Sequence, residues 1–380
     1  MVDVFQLVPQ VHYGPGAAGL AGTVLRDKGV RRVLFVSDPG VLAAGVADPV
    51  LASVKDAGVD FELFDAVRTN PDERQVGDAA QRYRDADCDG VIGVGGGSAM
   101  DVAKCAATLV SNGGGIVEYE DGRRPVTEAP PPLVLVPTTA GTGSEVVSGA
   151  IITDSARAFK MHVVAVPADA ALCDASLTLT LPPEPTAAAG VDALAHAIGA
   201  YTSSERQPHA DAYALYAIRT IAHWLPRAVA DGSDLAAREG MMLGSLTAGI
   251  SMKGGGAVDH AFAHAVNALF DVHHGVGVAM FLPAAMAFNR PHLPHRFGDI
   301  AAALGAGNPL WTGDPVHSVR ELIVGCPIPG PAELGITAAD VPALTAKVLD
   351  DKFHIGLNPV PITEADAKRI LESVVGNGLV

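Results

Sequence analysis

The sequence predicts an α/β domain built on a parallel sheet, residues 1–181, followed by an all-α domain, residues 182–380. Three observations carry that division. Short apolar runs alternate with helical stretches through the first part, an order that implies a parallel sheet covered on both faces. Two glycine-rich turns directly follow apolar runs, as strand-to-helix turns do in doubly wound sheets. After LPPEP, 181–185, the chain becomes rich in Ala, Leu and His at helical period, with almost no β-branched runs.

Taken in order, RRVLFVSD (31–38), VDFELFDAV (59–67), GVIGVGG (90–96), PLVLVPTT (132–139) and KMHVVAVP (160–167) are the expected strands. Between them, VLAAGVADPVLASVKDAG and DERQVGDAAQRYRDA carry apolar residues at helical spacing. In the second domain Thr337 precedes AADVPALTAKVL, and Thr363 is followed three residues later by Asp366. Both are helix-capping signatures. The chain has no internal repeat and no low-complexity tail.

At 380 residues the chain is long enough for two cores. Its 26 basic and 42 acidic residues give a formal charge of −16, which argues against nucleic acid and against an anionic membrane surface. The greasiest run, VGVAMFLPAAMAF (276–288), is too short to span a bilayer and contains Pro283. The opening MVDVFQLVPQ lacks the basic and apolar regions of a signal peptide. Cys88, Cys105, Cys173 and Cys326 form no C-x-x-C pair and are expected to be free thiols of a cytoplasmic protein.

GVIGVGGGSAMDVAK (90–104) runs from strand through glycines into helix. Without side chains at Gly95, Gly96 and Gly97, a phosphate can approach the backbone amides that open the helix at Ser98. The turn is neither the G-x-G-x-x-G fingerprint nor a P-loop, so by itself it signals only a tight turn. PTTAGTGSE (137–145) adds a second such turn, crowding Thr138, Thr139, Thr142 and Ser144 beside two glycines. Two loops of this kind suit a ligand with two phosphates, laid where Rossmann-like sheets bind dinucleotides. Asp38, ending the strand RRVLFVSD, could accept bonds from a ribose diol, although Asp-Pro-Gly is more commonly a turn former.

The segment DHAFAHAVNALFDVHHG (259–275) holds four of the thirteen histidines, His260, His264, His273 and His274. His260 and His264 share a helix face. One straight helix would put His260 and His274 about 21 Å apart, so the chain must turn back if both bind one ion. Asp192 and His196 in GVDALAHAIGAY form another i, i+4 pair on what reads as an amphipathic helix. One carboxylate with three imidazoles suits Fe²⁺ or Zn²⁺ and leaves a position for substrate oxygen. Spacing does not choose between His273 and His274, nor between His264 as ligand and as neighbour.

Together GGGSAMDVAK, PTTAGTGSE, ITD at 152–154 with Lys160 just after, LPPEPTAAAGVDALAHAI, HAFAHAVNALFDVHHG and NPVPIT resemble the iron-activated, group III alcohol dehydrogenases. The motifs occur in order over most of the chain. The resemblance implies that Asp192, His196, His260 and His274 bind a divalent metal, with the chain turning between the last two. His264 then matches a histidine beside the site that is not a ligand, and His273 matches none. The resemblance places the pyrophosphate of a dinucleotide on Gly96, Gly97 and Ser98, beside Gly95, with Thr138, Thr139 and Thr142 along the nicotinamide half. Asp101, Asn70 and Lys160 fall in matching cofactor segments. Asp38 matches the position that favours NAD, since a carboxylate repels the 2′-phosphate of the alternative, NADP.

The activity implied by the resemblance is a metal-dependent interconversion of a primary alcohol and an aldehyde by direct hydride transfer. His264 is the candidate for relaying the alcohol proton; its other reading is a packed histidine bonded to backbone. A homodimer or larger homo-oligomer is also implied, through the N-terminal VDVFQLVP. The chain departs from the family pattern at Gly199, where Glu is usual, at Ser251 and Lys253, where an aromatic and an amide are common, and at Asp259, where an apolar residue is expected. An inward Lys253 would suit an aldehyde bearing a carboxylate or phosphonate; paired with Asp259 it would not. The competing readings are a metal- and NAD-using cyclase or lyase resembling dehydroquinate synthase, a metal-free reductase of an unsaturated keto acid, and a non-catalytic binding protein.

Overall fold

The computed structural model describes residues 9–252, 255–256, 258–305 and 313–377. They group into two compact units, Met1–Thr139 with Gly143–Thr180, and Ala140–Thr142 with Leu181–Val380. Lys253 and residues 2–8, on which the acidic-substrate and dimer expectations rest, lie outside the described residues.

The first unit contains strands β1 (Gln10–Tyr13), β2 (Arg32–Val36), β3 (Asp60–Phe64), β4 (Gly90–Gly95), β5 (Leu133–Pro137), β6 (Gly149–Asp154), β7 (Phe159–Val164) and β8 (Ala170–Cys173). Six of them form one sheet in the order β1-β8-β5-β4-β2-β3, every pair parallel. Because side chains alternate along a strand, each face builds its own core. Leu34, Val36, Val91, Leu133 and Leu135 pack with Val76 and Met100 from helices Glu73–Asp85 and Gly97–Asn112. Val33, Phe35, Ile92, Val94, Val134 and Val136 pack with Leu25, Val50 and Val54 from helices Ala21–Asp27 and Asp48–Asp56. The expected helix at DERQVGDAAQRYRDA starts at Glu73, where Asp72 and Gln75 close a capping box.

The run KMHVVAVP is a strand but not part of the parallel sheet. Its β7 pairs antiparallel with β6, Ile152 opposite Met161. The link between them is the short turn after Asp154, and a parallel neighbour would need a crossover of a dozen residues or more. The sequence reading also missed β6, and with it β1 and β8, each of the latter only four residues long.

The second unit is helical: Pro183–Thr202, Pro208–Ala230, Leu235–Ser251, Asp259–Phe270, His274–Asn289, Pro294–Gly305, Pro315–Val324, Val341–Asp350, Lys352–Leu357 and Glu364–Asn377. Thr337 and Asp340 form the expected capping box ahead of Val341, and Thr363 and Asp366 bond reciprocally ahead of Glu364. Among the described residues no helix is long and apolar enough to cross a membrane.

Candidate active site

Helix Pro183–Thr202 is not the amphipathic helix expected. Thr186 through Ala195 are all buried, because helices Pro208–Ala230, Leu235–Ser251 and His274–Asn289 pack around it. Asp192 is therefore a carboxylate at 2% exposure on an enclosed helix. Its Oδ1 is the focus of three imidazoles, with Nε2 of His274 at 3.5 Å, of His260 at 3.7 Å and of His196 at 3.8 Å. None of these is a hydrogen bond: Asp192 Oδ1, His196 Nδ1 and both ring nitrogens of His260 are buried without one. Buried polar atoms in native proteins are normally paired. Four-coordinate ligation at about 2.1 Å would hold donor atoms about 3.4 Å apart. The spacing, the donor types and the orphaned atoms thus all fit a divalent cation.

The fourteen-residue interval closes as required. Helix Asp259–Phe270 stops at Asp271, left-handed at φ 49°, and His274 opens the next helix. Gly275 lets that helix start against the Asp192 helix: a Cβ there would lie 2.3 Å from the carbonyl oxygen of Ala188. Asn267 spans the turn, its amide donating to the Val272 carbonyl and its Oδ1 accepting from His274 Nδ1 at 3.3 Å. That bond leaves Nε2 of His274 as the lone-pair nitrogen toward Asp192. His273 caps the helix and is exposed. Burial holds the His196 imidazole below the ordinary histidine range. Burial also works against charge on His260, yet Asp259 beside it keeps that imidazole above the range.

His264 is buried, and it bonds a carboxylate rather than backbone. Its Nδ1 lies 2.9 Å from Asp351 Oδ2, and His354 Nδ1 sits 2.9 Å from the same oxygen. Burial would raise the Asp351 pKa, but the imidazoles of His354 and His264 hold it far below the usual carboxylate range. An ionised carboxylate only accepts, so both Nδ1 atoms donate and His264 keeps Nε2 as its basic nitrogen. The His354 ring stacks on that of His260, centroids 5.6 Å apart. Asp351 and His354 were missed from sequence; the one signal was an Asp and a His three apart in LDDKFHIGL, just before the NPVPIT motif.

In the first unit the openings of the two turns, at Gly95–Gly96 and Thr138–Thr139, lie side by side. Gly95 ends β4 at φ 155°, and a Cβ on it would meet Ala99 Cβ at 2.7 Å and Asp38 Oδ2 at 3.3 Å. Helix Gly97–Asn112 opens one residue earlier than expected, with Gly96 as its cap and Ser98 in its first turn. The amide of Thr138 donates to the Gly95 carbonyl at 2.9 Å, and a Cβ on Gly96 would be 3.5 Å from Thr139 Oγ1. Asp38 caps the short helix Pro39–Ala43 through Oδ1, which accepts from Val41 N, while Oδ2 borders Gly95. Asp101 turns inward: it accepts from Ser144 Oγ at 2.6 Å and Ile151 N at 2.9 Å, and pairs with Lys104 at 3.0 Å. Lys104, fully buried, donates further to the carbonyls of Ser144, Val147 and Gly149. Asn70 is left-handed at φ 55° and accepts from the Lys160 ammonium. Thr142 groups with the second unit.

Both halves of the chain match known family models. Residues 9–175 match "Iron-containing alcohol dehydrogenase", and residues 186–375 match "Fe-containing alcohol dehydrogenase family, C-terminal". Choline dehydrogenase of Bacillus subtilis (strain 168) is 37% identical over 95% of this chain and 92% of its own. NAD-dependent methanol dehydrogenase of Bacillus methanolicus is 33% identical over 98% and 99%. Among solved structures, a 1,3-propanediol oxidoreductase superposes with a TM-score of 0.92 at 32% identity, covering 98% of this chain and 100% of that one. These matches do not favour the cyclase reading. The chain is an oxidoreductase that belongs to the iron-containing alcohol dehydrogenase family.

Proposed function

We propose that the protein is a metal-dependent, NAD-linked dehydrogenase that interconverts a primary alcohol and its aldehyde. The observation that carries this is the convergence of three imidazole Nε2 atoms on one buried, unbonded carboxylate oxygen. Asp192, His196, His260 and His274 would hold Fe²⁺ or Zn²⁺, both of which accept such donors. When bound, the ion supplies Lewis acidity toward the substrate's oxygen, and NAD supplies the hydride acceptor. His264 takes the alcohol proton on Nε2, held in that tautomer by the Asp351 carboxylate. The amides at Gly95, Gly96, Gly97 and Ser98 bind the pyrophosphate, and Thr138, Thr139 and Thr142 attend the nicotinamide half. Asp101 acts through Ser144, whose turn it fixes, and Asn70 and Lys160 act as a pair. Asp38 selects NAD over NADP by charge. Choline, methanol and 1,3-propanediol, named for the relatives, are all primary alcohols, which supports that substrate class. The free cysteines Cys88, Cys105, Cys173 and Cys326 fit a cytoplasmic enzyme.

The test is a panel of aldehydes with NADH and NADPH, using metal-stripped protein reloaded with Fe²⁺ or Zn²⁺. Loss of NADH absorbance is expected with the reloaded wild type and not with Asp192→Ala. Full activity in stripped protein, or in Asp192→Ala, would refute the proposal.

A further inference from the structure

Asp259 opens the helix that carries His260, at a position where the family resemblance calls for an apolar residue. It is 1% exposed, and neither of its carboxylate oxygens has a hydrogen bond. Among the described residues its ion pair is with the neighbouring imidazole, Oδ2 lying 3.1 Å from His260 Nδ1. The other nitrogen of that ring, Nε2, points to Asp192 Oδ1 at 3.7 Å. A carboxylate enclosed in this way without a hydrogen bond costs the fold stability unless a partner compensates it. No Lys or Arg among the described residues pairs with it.

We propose that Asp259 is the outer carboxylate of an Asp259–His260–metal relay that tightens cation binding at this site. This rests on the metal reading above. The chemistry is direct. A cation on Nε2 withdraws electron density from the imidazole and makes the Nδ1 side more positive. A carboxylate 3.1 Å from that side stabilises the polarised ring and raises its strength as a ligand. The same carboxylate has no hydrogen bond in the metal-free chain. Asp259 therefore destabilises the metal-free chain and stabilises the loaded one, which widens the stability gap between the two states.

The experiment compares wild type, Asp259→Asn and Asp259→Val, with Asp192→Ala as the control for the metal reading. Stripped full-length proteins are titrated with Zn²⁺ against a chelator of known affinity, and thermal unfolding is followed with and without Zn²⁺. Wild type is expected to bind one Zn²⁺ per chain and Asp192→Ala to lose it. Both Asp259 variants are expected to bind about 10–100-fold more weakly, the usual effect of removing an outer-shell partner. Their metal-free forms are expected to unfold at a higher temperature than metal-free wild type. If Asp259→Val does not fold, the near-isosteric Asp259→Asn decides the matter. Wild-type binding with Asp259→Asn affinity within twofold overturns this inference alone. A wild type that binds no Zn²⁺ overturns the metal reading beneath it.

Discussion

Replacing Glu145 by glutamine removes a buried acid from the base of the PTTAGTGSE turn. Glu145 is 2% exposed, and its Oε1 has no hydrogen-bond partner. Burial pushes its pKa from the ordinary 4.5 up to about 7, against smaller opposing effects from its own backbone amide and Lys104. The folded chain thus keeps a proton that the unfolded chain has released. Stability is fully present below the unfolded value and declines as pH rises toward 7, because the native state binds the extra proton. At about 1.4 kcal/mol per pKa unit, the shift corresponds to about 3 kcal/mol lost across that window. Urea unfolding of wild type and Glu145→Gln at half-unit steps between pH 4.5 and 8 measures it. The amide introduces its own constant offset, so the reading is the change in the difference between the two curves, which also removes the titration of every other group. The variant should gain about 3 kcal/mol on wild type from the acid to the alkaline end. A difference that stays flat to within about 1 kcal/mol would show that Glu145 ionises normally in the fold and would refute the reasoning.

Three further outcomes are expected. Asp351→Asn should lower kcat about 10–100-fold with little change in substrate KM, since it releases His264 without touching the cation ligands; in steady-state kinetics the double variant with His264→Ala should be no slower than His264→Ala alone. Asp38→Gly should shift the ratio of kcat/KM for NADH over NADPH toward NADPH, while loss of the helix cap costs only a few tenths of a kcal/mol because glycine is tolerated there. Gly275→Ala should destabilise the chain by about 1–3 kcal/mol in denaturant and weaken Zn²⁺ retention on dialysis, because the added methyl meets the Ala188 carbonyl.

Much of this architecture is legible in sequence because it is local. The alternation of Leu34 and Val36 with Val33 and Phe35 announces a strand covered on both faces. The glycine run at 95–97 announces a tight turn, and at Gly95 a side chain would collide with Ala99. Asp192 and His196 declare a shared face by spacing alone, and the resemblance supplied His260 and His274. What was hidden depends on distant partners. His264 meets Asp351 across 87 residues of chain, and nothing in the local pattern of either residue marks the other. The strands β1 and β8 are too short to show a period, and they exist because they pair with each other and β8 with β5. The run that forms β7 was placed in the parallel sheet because an apolar run has the same composition in either sheet, and its antiparallel partner β6 went unread. The helix carrying Asp192 reads as amphipathic because its polar residues suggest solvent, whereas Asp192 and His196 converge in an enclosed cluster.

The buried ammonium of Lys104 gathers the carbonyls of Ser144, Val147 and Gly149 while Asp101 holds Ser144 and Ile151. A positive charge sealed beneath the loop acts there as an internal counter-ion to a ring of backbone oxygens, so the loop's curvature is set before any ligand arrives. Little ordering entropy is then left to be lost on association. Changes in affinity from substitutions at this loop should therefore show up mainly as faster dissociation, with capture rates nearly constant.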